Sequence, residues 1–233
     1  MITPEGVFHA DFYLVHNEKR LEHLDSLGLP IEGKSVLEVG AGIGDHTRYF
    51  IDCGCDVVST EGRPENVEVL KKNVGDKATV ALLDLEEPGK NPSYDKQFDI
   101  VYCYGTLYHL SKPLFALNYL AQHCKGLFLL ETCISMGEKE EFSVVHEHAG
   151  DPSQSIVGKG CRPTRLWLYN RLKSLYEFVY VPKTQPNHGE FPTNWKVPSH
   201  SELNRVIMFG SHFSMDNELL LDHLPDRQER FRK

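Results

Sequence analysis

The run Ser35-Val36-Leu37-Glu38-Val39-Gly40-Ala41-Gly42-Ile43-Gly44-Asp45 concentrates residue types that bind rather than merely pack. Its apolar first half reads as a buried strand. Glycine at 40, 42 and 44 then removes every second Cβ where backbone must press against a ligand, and Asp45 stands where it can cap the helix that follows. Spacing separates two kinds of site. A dinucleotide fingerprint is G-x-G-x-x-G, and its third glycine, counted from Gly40, would fall at position 45, which is Asp. The chain instead spells E-x-G-x-G-x-G. Glu38, at the carboxyl end of the strand, repels a pyrophosphate and suits a ligand that carries positive charge.

Other chemistry-bearing residues recur where strands should end. The pattern predicts a helix from about Phe12 to Leu27, strand Ser35 to Val39, helix Asp45 to Cys53, strand Asp56 to Thr60, helix Pro64 to Asn73 and strand Thr79 to Leu83. A loop with Pro88, Gly89 and Pro92 follows, then strand Phe98 to Tyr102, helix Pro113 to His123 capped by Ser111, and strand Gly126 to Leu130. Strands alternating with helices imply a parallel sheet covered on both faces. Ligands of such sheets sit outside the carboxyl strand ends. There stand Glu38 and the glycines, then Glu61, Asp84, Cys103 to Gly105, and Glu131.

Together these residues resemble the class I S-adenosylmethionine-dependent methyltransferases, over residues 35 to about 134. The resemblance implies S-adenosylmethionine as cofactor, Glu61 accepting from both ribose hydroxyls, and Asp84-Leu85 receiving the adenine amino group. Gly62, Arg63, Tyr102 and Tyr104 complete the expected cofactor contacts. Phe98-Asp99-Ile100-Val101 through His109 resembles the family's fourth motif, whose loop faces the sulfonium. Tyr104, Tyr108 and His109 are the catalytic candidates there, with His109 the group whose ordinary pKa suits proton abstraction near neutrality. The implied fold is an α/β three-layer sandwich, Rossmann-like, with a mostly parallel seven-stranded sheet whose last strand is antiparallel.

Past Glu131 the rhythm breaks. Residues 137 to 161 are polar without clear period, long enough to be a functional insertion. A helix Pro163 to Tyr176, strand Glu177 to Val181 and strand Arg205 to Gly210 follow, and the charged tail from 216 to 233 reads as a fraying helix. The expected organisation is one domain over 1–233: a helical lid (1–30), a cofactor core (31–134), an acceptor-side insertion (135–161), the rest of the sheet (162–215) and the tail. Acceptor contacts are expected from Tyr13, His16 and Arg20, from Glu131, from His146, Glu147, His148 and Asp151, from Arg162 and Arg165, and from His188. His146, His148, His188 and Glu190 have the donor types of a divalent-metal site. Scattered histidines are more often surface or satisfied core groups, and no metal is assigned.

The 233 residues carry a net charge of −8, which argues against binding a phosphate backbone. With the resemblance, the expectation is a small-molecule acceptor methylated on oxygen or nitrogen. A tRNA- or protein-modifying enzyme and a non-catalytic cofactor-binding protein are the alternatives, and an NAD-dependent oxidoreductase is weakened by Asp45. Six scattered cysteines without C-x-x-C point to reduced thiols. No apolar run is long enough to cross a bilayer, and the start lacks the basic and apolar regions of a secretory signal, so a cytoplasmic location is expected.

Overall fold

The computed structural model describes residues 3–90, 96–197 and 201–232. Helices α1 (Pro4–Phe8) and α2 (Asp11–Ser26) precede β1 (Ser35–Val39), α3 (Thr47–Asp52), β2 (Asp56–Glu61), α4 (Pro64–Val74) and β3 (Thr79–Leu82). Next come β4 (Phe98–Tyr104), α5 (Pro113–Gln122), β5 (Cys124–Ile134), β6 (Phe142–His146), β7 (Lys159–Pro163) and α6 (Arg165–Leu175). The chain ends through β8 (Phe178–Pro182), β9 (Thr184–Gln185), β10 (Asn204–Ser211), β11 (Leu220–Leu221) and β12 (Glu229–Arg230).

Eight strands form one sheet in the order β11-β8-β10-β5-β4-β1-β2-β3. Strands β1 to β5 pair in parallel, and β10 lies antiparallel between β5 and β8. The expected seven strands are therefore present, and the two-residue β11 adds an eighth at the edge. Alternate residues of each central strand feed opposite cores, because successive side chains point to opposite faces. Leu37, Val101 and Phe128 meet Leu117 of α5 and Leu168 of α6 on one face. Val36, Ile100 and Leu127 meet Leu24 of α2 and Phe50 of α3 on the other. The register carries the site: Glu38 lies opposite Ser59 and Tyr102, and Tyr104 opposite Glu131, at the carboxyl ends of neighbouring strands.

Several local expectations need correction. Residues 42–46 form a turn, so α3 starts at Thr47, and Asp45 caps nothing; its Oδ2 accepts from Asn17 Nδ2 at 3.0 Å and so ties the turn to α2. Ser111 does not cap α5 either. Its backbone N–H and hydroxyl both donate to Glu86, the hydroxyl at 2.8 Å, which joins the loops after β3 and β4. The insertion contains an antiparallel hairpin, β6 with β7. The tail is no helix. Leu220 finds apolar cover on β8, and Gln228 accepts from Gln185 Nε2 at 2.9 Å and Trp195 Nε1 at 2.7 Å, so side-chain bonds to the body outweigh local helix formation. Pro92 lies outside the described residues. The six cysteines are unpaired, and no described helix is long and apolar enough to cross a membrane.

Glu131 is fully buried. Its Oε2 accepts from Arg20 Nη1 of α2 at 2.9 Å and its Oε1 from Arg205 Nη1 of β10 at 3.0 Å. Expected as an acceptor contact, it instead sits behind the cleft, fastening the N-terminal helix to the sheet. Removing it strands two buried guanidiniums. Glu131→Ala is expected to lower the unfolding free energy by about 3–5 kcal/mol in urea titration; a loss under about 1 kcal/mol would refute this role.

Candidate active site

The carboxyl ends of β1, β2, β3 and β4 open onto a cavity of about 580 Å³, roofed by α1 and α2 and by the loop between β6 and β7. One end is the glycine turn. Gly40 and Gly42 have φ of 66° and 59°, which glycine alone adopts freely. A Cβ on Gly40 would lie 2.1 Å from Thr106 Oγ1, and one on Gly42 would lie 2.8 Å from a ring carbon of Phe8, which α1 sets over the turn. Gly44 differs. It does not border the cavity; a Cβ there would meet Leu70 and Val74 of α4 at 2.8 and 3.1 Å, so it is a packing glycine.

Glu61, 8% exposed at the tip of β2, accepts from Gly42 N at 3.0 Å through Oε2 and from Arg63 N at 3.1 Å through Oε1. It therefore faces the turn with lone pairs to spare, as a ribose-binding carboxylate must. Gly62, Asp84 and Leu85 border the same end. Asp84 Oδ1 accepts from Glu86 N at 2.9 Å, which fixes the loop where adenine is expected. Arg63 borders the cavity too, but its Nη2 donates to carbonyls of the β6–β7 loop.

Under the turn Glu38 is 1% exposed, and its Oε2 accepts from Thr47 Oγ1 at 2.5 Å and Ser59 Oγ at 2.8 Å. Burial pushes its pKa up to about 7, against the pull of those two bonds. Tyr102 donates or accepts at His46 Nδ1 over 2.7 Å and stacks on Tyr104 at 4.4 Å. Burial raises both phenols well above their ordinary value, and both rings border the cavity.

Tyr108 and His109 also border the cavity, with ring centroids 3.9 Å apart. Tyr108 lies between two guanidiniums, Arg162 at 5.1 Å and Arg205 at 4.9 Å from its centroid, and its hydroxyl accepts from Arg205 Nη2 at 3.2 Å. Burial pushes this phenol up as well. His109 Nδ1 lies 2.5 Å from Glu147 Oε2, which leaves Nε2 as the ring nitrogen without a protein partner among the described residues. Burial lowers its pKa and outweighs the opposing pull of Glu147, so the ring is neutral at neutral pH.

The far end is polar and charge-balanced. Tyr13, His16, His146, Arg162 and His188 border it, as does Arg20. His148 and Arg165 do not: His148 Nδ1 accepts from Gly150 N at 3.2 Å, and Arg165 covers the Trp195 ring at 3.8 Å and donates to Pro225 O. The quartet of His146, His148, His188 and Glu190 is not assembled; among the described residues it is His16, His188 and Glu190 whose ligand atoms gather, within 4.8 Å. His16 and His188 stack at 4.6 Å, and His16 Nε2 is buried without a partner. Burial, then Arg20 and Arg205, drive His16 far below its ordinary pKa. Glu190 Oε2 already accepts from Arg205 Nε at 2.5 Å. A dication would face two guanidiniums here, whereas hydroxyl groups would find donors and acceptors together.

Sequence reasoning missed Phe8, Thr106, Glu86 and Arg205 as cavity residues. Only Arg205, a cation opening an apolar strand, carried a local signal.

A family model described as a methyltransferase domain matches residues 15–173. The chain belongs to that family. This methyltransferase shares its fold with the N-terminal domain of EvdMO1, solved in the presence of SAH and D-fucose, at TM-score 0.62 and 19% identity over 84% of this chain and 82% of that one. A second structure of that domain, with SAH bound, gives TM-score 0.63 and 17% identity over 89% and 84%. The glycopeptide N-methyltransferase MtfA complexed with (S)-adenosyl-L-methionine gives TM-score 0.53 and 14% identity over 84% and 86%. Among curated proteins none matches the chain in sequence.

Because the folded pKa of Glu38 lies above its ordinary 4.5, its contribution to stability is complete below about pH 4.5 and is lost as pH rises through about 7. The methyltransferase should therefore weaken relative to Glu38→Gln between pH 5 and 8, by on the order of 2–3 kcal/mol. Urea midpoints of both proteins at the two pH values test this; a gap that does not change with pH would contradict it.

Proposed function

We propose that the enzyme transfers a methyl group from S-adenosylmethionine to a hydroxyl oxygen of a small polyhydroxylated molecule. The cofactor assignment is supported by the Cβ-free cradle at Gly40 and Gly42, the buried Glu61 beside it, and Glu38 beneath it. Residues at this end would hold the nucleoside through Glu61 and the Asp84-Leu85 loop, with Phe8 as a cover over the turn. When bound, the cofactor supplies an electrophilic methyl group on a cationic sulfur.

The oxygen assignment rests on one observation: the half-buried imidazole of His109 borders the same cavity as the glycine turn and the polar residues His16, Glu190 and Arg205, with its Nδ1 held by Glu147. Displacement needs an aligned nucleophile, and a hydroxyl, unlike an amine, needs a base at the moment of transfer. His109 Nε2 would take that proton. The far wall then selects the acceptor. Glu190 can accept from hydroxyls, Arg205 can donate, and the unpartnered Nε2 of His16 lacks a bond that a ligand would restore, worth about 1–3 kcal/mol if left unmade. The D-fucose recorded with the similar EvdMO1 domain belongs to this class of compound.

Calorimetry with S-adenosylhomocysteine, the demethylated product, is expected to show one binding event, weakened about 10- to 150-fold in Glu61→Ala through loss of charge-assisted bonds of about 1.5–3 kcal/mol. Tighter binding of NAD would overturn the cofactor assignment. With methyl-labelled cofactor and matched sets of sugars and amines, label is expected in a hydroxyl group; transfer to amines alone, undiminished in His109→Ala, would overturn the acceptor assignment.

A further inference from the structure

The loop of residues 147–158, between β6 and β7, touches the two working ends of the cavity at once. At the cofactor end, Arg63 Nη2 donates to the carbonyls of Ala149 at 2.9 Å, Gln154 at 3.1 Å and Ser155 at 3.1 Å. Asn66 Nδ2 donates to Pro152 O at 2.9 Å. Both residues lie within the short stretch that follows Glu61, and Asn66 Nδ2 also lies 3.4 Å from Glu61 Oε1. Ile156 rests on Gly62, where a Cβ would come within 2.7 Å of its Cδ1. The loop is thus latched to the segment that is to hold the ribose.

At the other end, the first residue of the loop is Glu147. Its side chain is only 6% exposed; Oε2 accepts from Ser155 N at 2.9 Å and meets His109 Nδ1, and Oε1 lies 3.6 Å from Arg162 Nη1. Burial acts to raise its pKa, yet the bond to His109, the Ser155 amide and Arg162 bring it below the ordinary value. Glu147 is therefore a carboxylate, and an acceptor only. A neutral imidazole has one N–H, so a carboxylate at Nδ1 draws that proton there and leaves the Nε2 lone pair bare.

We propose that residues 147–158 are a lid whose closure over the cofactor carries Glu147 to His109, so that Glu147 is a positioning residue that sets the tautomer of the base. This rests on the assignment of His109 as base. The bond order follows simply: Nδ1–H stays with Glu147, Nε2 accepts the acceptor's hydroxyl proton, and the oxygen pair so released forms the new carbon–oxygen bond as the carbon–sulfur bond breaks. Closure and base formation become one event. Arg63, which makes no hydrogen bond to His109 among the described residues, then acts on the base only through the lid.

The test reads the tautomer directly, by nitrogen-15 NMR of histidine-labelled protein with saturating S-adenosylhomocysteine, the His109 signal being assigned by its loss in His109→Ala. The wild-type ring is expected to carry its proton on Nδ1. Glu147→Ala should shift it toward Nε2–H and, because Glu147 also accepts from Ser155 N of the loop, should weaken S-adenosylhomocysteine by less than Arg63→Ala does. Glu147→Gln, which can still accept, should keep the Nδ1–H form but lower the pKa of the ring, because the compensating negative charge is gone. Arg63→Ala should both weaken S-adenosylhomocysteine about tenfold and shift the His109 tautomer as Glu147→Ala does. An Nε2–H ring in the wild type, or an Arg63→Ala protein with weakened binding and an unmoved tautomer, would overturn the proposal. Absence of any S-adenosylhomocysteine binding would instead strike the cofactor assignment, and the tautomers of wild type and Glu147→Ala, measured without ligand, would still decide the role of Glu147.

Discussion

One carboxylate held between two guanidiniums sets the shape of the cleft. Glu131, at the end of β5, binds Arg20 of α2 and Arg205 of β10, and none of the three side chains is more than 6% exposed. Ion pairs so buried add little net stability, since the cost of desolvation offsets most of the attraction. Their geometry is what matters. Arg20 in turn donates to Asn17, Asn17 to Asp45 of the glycine turn, and Arg205 to Glu190 and Tyr108. The N-terminal helix, the cofactor turn and the far wall are thereby referred to one buried point. The sheet alone would present an open row of strand ends; with α2 fastened across it, that row becomes an enclosed cavity.

That arrangement also explains why the far wall is charge-balanced. Arg20 and Arg205 are matched by Glu131 and Glu190, and the imidazoles among them are held neutral by burial and by the neighbouring guanidiniums. A wall of this kind exerts little net pull on an ion but offers donors and acceptors in fixed places, which favours an uncharged polar acceptor. The glycine turn is the opposite case. Glu38 and Glu61 lie beneath it with raised pKa values, a cost that a cationic ligand would relieve.

The parts legible in the sequence are those whose signal is local. A strand followed by alternating glycines, and acids at successive strand tips, announce a mostly parallel sheet with candidate ligand residues along its carboxyl edge, because one segment supplies each feature. The failures are long-range. Glu131 reads as a ligand-facing acid at a strand end, and nothing nearby announces guanidiniums 111 and 74 positions away. Gly44 shares its spacing with Gly40 and Gly42, yet α4 packs against it, a contact no local pattern encodes. Arg63 stands beside Glu61 in sequence and so reads as a cofactor contact, but its partners are carbonyls 86 to 92 residues later. The tail looked helical because its leucines precede charges, whereas edge-strand pairing and bonds to Gln228 decide its form.

Charge accounting connects the lid to the chemistry. A buried site pays most dearly for net charge that appears or vanishes during a reaction, since there is little solvent to follow it. On the proposed reading, in which His109 would take a hydroxyl proton as a methyl group left a cationic sulfur, one positive charge would be present before and after, moved from the sulfur to the imidazole. The destination must therefore be prepared in advance. Glu147 is the carboxylate at that destination, in contact with His109 Nδ1, and the bond to His109, the Ser155 amide and Arg162 bring its pKa below the ordinary value. Glu38, beneath the turn, stands at the origin of the same displacement. On that reading the two acids would mark the beginning and end of one charge movement, one supplied by the strand and the other by the proposed lid, which would give a physical reason for closure to precede proton transfer.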